Sequence, residues 1–160
     1  MADFSRLSKS WTEWTSLAGM THVSTCTECD DSQAYFKSDD QSFYIQRDGV
    51  WWVVDTVDDR GQRRNNVAKF STFDLLEKYL IWRWSSVTRS AIGARSLGRN
   101  FHSLGVKPGV ELTATDREYV VEMQLTGGTA VLPASQVGVF SHVLDMPFEE
   151  VDHLIREGVG

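Results

Sequence analysis

Two apolar, aromatic and β-branched runs, Phe43-Tyr44-Ile45-Gln46 and Val50 to Val57, lie on either side of Asp48-Gly49. No other feature restricts the fold as much. Asp-Gly tolerates the positive φ that a tight two-residue connection demands, so the pair predicts a β-hairpin. Trp52, Val54 and Thr56 then face one way, and Trp51, Val53 and Asp55 the other. A strand apolar on both faces belongs inside a sheet rather than at its edge. Its neighbours are at hand: Ala34-Tyr35-Phe36 precedes the hairpin, and Arg63 to Phe70 returns after a turn over Asp58-Asp59-Arg60-Gly61-Gln62. The first half of the chain therefore reads as an antiparallel meander.

Helical periodicity frames it. Phe4, Leu7, Trp11, Trp14 and Leu17 or Ala18 recur at the spacing of one helical face, predicting a short amphipathic helix before the strands. Ser71-Thr72-Phe73-Asp74 resembles a capping box that opens a long helix to about Ala91, with Phe73, Leu76, Leu80 and Trp84 along one stripe. Gly93, Gly98, Gly105, Pro108 and Gly109 then argue for a long structured loop over residues 90–105 and beyond. A second meander follows in Val110 to Thr113, Tyr119 to Leu125 and Thr129 to Leu132. Two helices close the chain, from Ser135 to Leu144 and from Pro147, expected at the first helical position, to Ile155. Strands in runs rather than in alternation with helices give an α+β class. The expectation is one domain over residues 1–160, its antiparallel meanders packed against the long central helix and the C-terminal helices. At 160 residues and 41% hydrophobic, such a chain buries a core without metals or disulfides. Its apolar runs are too short to span a membrane and Met1 to Lys9 is too polar for a signal peptide, so a cytoplasmic protein is expected.

Charge is segregated along the sequence. Residues 1–59 carry eleven acids and four bases, residues 60–110 two acids and ten bases, and residues 111–160 nine acids and two bases, for a net charge of -6. Two readings follow: the basic middle pairs with the acidic ends inside the fold, or it forms a recognition face. Arg83, Arg89, Arg95 and Arg99 could then meet phosphates, but a pI near 5.1 argues against nucleic acid as the main partner.

Catalytic signatures are absent. His22, Cys26 and Cys29 offer three zinc ligands where a structural site needs four, so no metal is expected. Asp30 and Asp31 after the CxxC oppose a thiolate, against redox catalysis. The histidines follow no hydrolase or metalloprotease spacing, the paired acids sit at turns and helix starts, and the glycines match no phosphate-binding loop. No cofactor is implied. Six tryptophans fall within predicted elements; most belong to the core, and one or two are expected to face a partner.

The run Phe43-Tyr44-Ile45 to Trp51-Trp52-Val53-Val54, the helix Phe73-Asp74-Leu75-Leu76-Glu77-Lys78-Tyr79-Leu80 and the tail Phe140 to Met146 through Glu149-Glu150-Val151 resemble the immunity proteins of bacterial polymorphic toxins. Within these they are similar to the family that includes the antitoxin of the mycobacterial necrotizing NAD+-glycohydrolase toxin. The resemblance implies an α+β cytosolic protein without enzymatic activity that binds a cognate toxin and blocks its active site. A competitive protein inhibitor needs a rigid scaffold, a segment that enters a cleft, and complementary charge. Residues 90–105 supply such a segment, with Gly93 and Gly98 permitting close approach and Arg95 and Arg99 able to grip carboxylates in bidentate fashion. The turn of Asp58, Asp59 and Arg60, whose acids could imitate phosphates, and Thr126-Gly127-Gly128-Thr129 are the other candidates. The alternative function is a nucleic-acid-binding or regulatory module using residues 78–107.

Overall fold

The computed structural model describes residues 2–28 and 33–159. Helix α1 (Ser5–Ala18) comes first, then strands β1 (Ser24–Cys26), β2 (Ala34–Lys37), β3 (Ser42–Asp48), β4 (Trp51–Val57) and β5 (Arg63–Phe70). After α2 (Phe73–Ala91) and the short α3 (Gly98–Leu104) come β6 (Glu111–Ala114), β7 (Val120–Leu125) and β8 (Gly128–Pro133). The helices α4 (Ala134–Val143) and α5 (Phe148–Arg156) end the chain. The class is α+β, as expected.

The two meanders are one sheet. Its order is β1-β2-β3-β4-β5-β8-β7-β6, antiparallel at every pairing. The junction is narrow: β5 meets β8 only at Lys69↔Val131 and Phe70↔Ala130. Ser71 braces it, its N–H donating to the Thr129 carbonyl at 2.9 Å and its Oγ accepting the Thr129 N–H at 2.8 Å. Gly128, at φ +144°, lies so close that a Cβ there would sit 2.5 Å from Ser71 Oγ. Only glycine fits.

The hairpin is present with its turn displaced by one residue. Asp48 pairs with Trp51, so the connection is Gly49-Val50 rather than Asp48-Gly49. Gly49 alone of these takes a positive φ, +60°, the pattern of a turn with Gly first. Across β4 and β5 the register slips between Val54 and Thr56. Asp55, buried at 5% exposure, holds this bulge by accepting from the Asn66 N–H and from Arg63 Nη2, each at 2.8 Å.

The helices pack on one face of the sheet. Trp11 of α1 meets Phe36 and Phe43, Trp84 of α2 meets the same two rings, and Tyr79 of α2 lies between Phe70 and Phe140. Helix α2 starts where expected, with Thr72 Oγ1 accepting the Leu75 N–H; Asp74, read as the acidic half of a capping box, pairs instead with Lys78 at 2.9 Å. Pro147 is the cap residue before α5, not its first helical residue. On the opposite face, Lys37 lies over Tyr35, Arg63 over Tyr44 and Lys69 over Trp51. Five of the six tryptophans are buried; Trp51 is the half-buried one.

Candidate functional site

Residues 90–105 are not the continuous loop expected, since α2 runs on to Ala91 and α3 takes Gly98–Leu104. Its Phe101 ring packs 5.9 Å from Trp82 and stacks on His142 at 5.3 Å. His142 Nε2 lies 2.8 Å from the Gly105 carbonyl, which can only accept, so that nitrogen carries the proton. At the other end the Ala94 N–H donates to the Arg89 carbonyl at 2.8 Å. The segment is thus held at both ends, and between them Arg95 and Arg99 stand exposed with no carboxylate within ion-pair reach among the described residues. Gly93, at φ +75°, has open space beside it; a Cβ on Gly98 would meet Val139 at 3.9 Å.

Arg89 is different. It is 2% exposed, and its guanidinium donates to the carbonyls of Arg95, Ile155 and Glu157. It cannot reach a phosphate, and Arg83 is engaged with the Tyr79 hydroxyl at 3.0 Å. Lys107 pairs with Asp145, Lys78 with Asp74, and Arg63 with Asp55. Much of the basic middle is therefore absorbed by the fold, while Arg60, Arg64, Arg95 and Arg99 stay exposed without an ion pair among the described residues.

In the β4–β5 turn, Asp58 Oδ1 accepts the backbone N–H groups of Arg60 and Gln62 at 3.0 and 2.9 Å, so Asp58 shapes the turn. Asp59 and Arg60 are exposed beside it. No hydrogen bond or ion pair among the described residues joins this turn to Arg95 and Arg99. Next to it lies a cleft of about 240 Å³ with Arg64, Arg83 and Gln136 in its walls. Sequence reasoning did not find this cleft, because it arises where β5 runs on past the end of β8.

His22 Nδ1 lies 2.5 Å from Asp39 Oδ2, and this contact, with the Thr21 hydroxyl, holds the Asp39 carboxyl below its ordinary range. Cys26 is disulfide-bonded, while Cys29, Asp30 and Asp31 lie outside the described residues. Burial pushes the Glu77 carboxyl up, against the pull of Arg6 3.2 Å away. The hydrogen bond from Lys107 holds Asp145 down.

The segment that presents Arg95 and Arg99 is held at both ends, and the family model Immunity protein 61 matches residues 14–160. The chain belongs to the Immunity protein 61 family. Membership implies a toxin as partner and a role as its inhibitor. The solved structure of Rv3902c from M. tuberculosis shares the Immunity protein 61 chain's fold, with a TM-score of 0.71 at 18% identity over 91% of this chain and 86% of that one. A search of curated proteins gives no match. No helix among the described residues of this immunity protein is long and apolar enough to cross a membrane.

Proposed function

We propose that the chain binds a cognate NAD+-glycohydrolase toxin in the cytoplasm and blocks its active site, with no catalysis of its own. The family match over residues 14–160 carries the inhibitor role, and the resemblance of the hairpin, central helix and tail to the NAD+-glycohydrolase antitoxins supports the class of toxin. The segment carrying Gly93, Arg95, Gly98 and Arg99 is the part that enters the toxin. Its two ends are tied to α2 and α4, so little conformational entropy is lost when it docks. Its arginines meet carboxylates, in bidentate pairs worth more than those of a lysine. Asp58, Asp59 and Arg60 form a second contact. The test is co-expression with an NAD+-glycohydrolase toxin while cellular NAD+ is followed. Preserved NAD+ and a stoichiometric complex are expected; depleted NAD+ without a complex, from folded protein, rejects this class of toxin.

A further inference from the structure

Strand β4 contributes Thr56 to the cleft beside the Asp58-Asp59-Arg60 turn, β5 contributes Arg64, and α2 contributes Tyr79 and Arg83. The cleft measures about 240 Å³. Aromatic groups hold Arg83 in place: its guanidinium lies 5.4 Å from the Phe43 ring centroid and 5.7 Å from that of Tyr79, and Nη1 donates to the Tyr79 hydroxyl at 3.0 Å.

Neither arginine of the cleft is neutralised. Arg64 is exposed and makes no side-chain hydrogen bond or ion pair among the described residues, and Arg83, half-buried, has no carboxylate within ion-pair reach among them. Of the five N–H donors on the Arg83 guanidinium, the Tyr79 hydroxyl takes one. Nε and Nη2 are bonded to nothing among the described residues, yet neither is sealed from solvent, so these donors stay open to an incoming group. A half-buried cation without a counter-charge is costly, and the two rings that displace water beside it strengthen its attraction for an anion. Asp58, the one acid in the cleft wall among the described residues, does not supply that anion. Its Oδ1 accepts the Arg60 and Gln62 N–H groups, and no ion pair joins it to Arg64 or Arg83. The chain has 22 acids and pairs Arg6, Arg63, Lys78, Lys107 and Arg156 with them, so acids are available and are spent elsewhere.

The complement of two open guanidinium forks is a carboxylate, which each can grip through paired N–H groups. Its source is the partner. The cleft adjoins the turn assigned above as the second toxin contact, with Asp58 common to both, and family membership makes the partner a protein. We propose that the Arg64–Arg83 cleft receives an aspartate or glutamate side chain of the toxin. The inference rests on the toxin-binding reading above.

Two experiments test it. In the first, sodium glutarate is titrated into the full-length protein at constant ionic strength while the arginine Nε–H resonances are followed by NMR, assigned by single Arg→Lys variants. Saturable shifts of the Arg64 and Arg83 signals are expected, at lower concentration than any shift of the exposed Arg95 and Arg99. Shifts no different from those two overturn the anion site. In the second, toxin affinity is measured for wild type, Arg64→Glu and Arg83→Gln, each checked for folding by circular dichroism and thermal melts. Arg64 is exposed, so its variant tests the cleft even where loss of the half-buried Arg83 disturbs the fold. Affinity should fall about tenfold or more in each, and an Asp→Lys or Glu→Lys substitution in the toxin should restore binding to Arg64→Glu. A loss that no such substitution restores overturns the proposal. Wild-type affinity in Arg64→Glu also overturns it, and with glutarate binding intact leaves a free small anion as the occupant. No complex with wild type instead rejects the toxin reading, and the toxin carboxylate with it.

Discussion

The carbonyl of Arg95 receives two hydrogen bonds from the Arg89 guanidinium, from Nε at 3.0 Å and Nη2 at 2.6 Å. Nη1 of the same group reaches the carbonyls of Ile155 and Glu157 at the end of α5, where the helix dipole favours a cation. One buried charge thus fixes the exposed segment and the C-terminal helix to α2. Replacing Arg89 by Met should cost about 2–4 kcal/mol, as expected when charge-assisted bonds are removed and buried carbonyls left unpaired. Urea unfolding at constant slope measures it. Lysine should recover only part, having one ammonium for three carbonyls.

Arg95 and Arg99 make the opposite prediction. Both are exposed and free of ion pairs among the described residues, so the double Ala variant should match wild-type stability within about 0.5 kcal/mol. Its toxin affinity should fall tenfold or more by calorimetry. Unchanged affinity would place the toxin contact elsewhere.

Glu77 and Asp145 should leave opposite marks on the pH dependence of stability. Burial raises the Glu77 pKa, so the fold favours its neutral form. That contribution is complete below the unfolded value of about 4.3 and is lost as pH rises through the higher folded value. Glu77→Gln removes the loss. Relative to wild type, the variant should therefore gain stability between pH 4 and neutrality, offset in part by the weaker bond to Arg6.

Asp145 is held down chiefly by the Lys107 hydrogen bond, so its contribution is present above about pH 4 and disappears as pH falls through the lower folded value. Asp145→Asn should be less stable than wild type at pH 7, with the gap closing in acid. A gap that is constant from pH 2 to 7 would mean that the Lys107 pair contributes nothing to the linkage.

Gly128→Ala should destabilise by about 1–3 kcal/mol, since φ is +144° and the added Cβ would press on Ser71 Oγ. Because Ser71 braces the β5–β8 junction, amide exchange at Lys69, Phe70, Ala130 and Val131 should quicken more than elsewhere in the sheet.

Elements that bury a periodic face were legible from the residues. The Arg63–Phe70 strand and the helix ending at Ala91 lie within their predicted bounds. The hairpin was legible in kind, but its turn slid to Gly49-Val50, because glycine can supply the positive φ from either position. Strand β1 is only three residues, two exposed and one half-buried, with no alternation to read. Helix α3 was hidden by Gly98 and Gly105, which sit at its first residue and its cap rather than in its interior. The union of the meanders rests on two residue pairs, and tertiary contacts set it. Charge offered Arg89, Arg95 and Arg99 alike, and only the last two are exposed, since nothing in a list of arginines separates one that is buried from one presented to solvent.

The bonds from Arg89 to Ile155 and Glu157 span 66 and 68 residues. On the ribosome, α1, α2 and the first five strands emerge well before α5 exists. Until then the Arg89 guanidinium lacks its α5 carbonyls, and an early α1–α2 pair must keep this end open to water. Helix α5 thus seals the helix layer only after α1, α2 and the strands between them have emerged, and a chain cut short before Ile155 would leave the Arg89 charge on the central helix without those carbonyls.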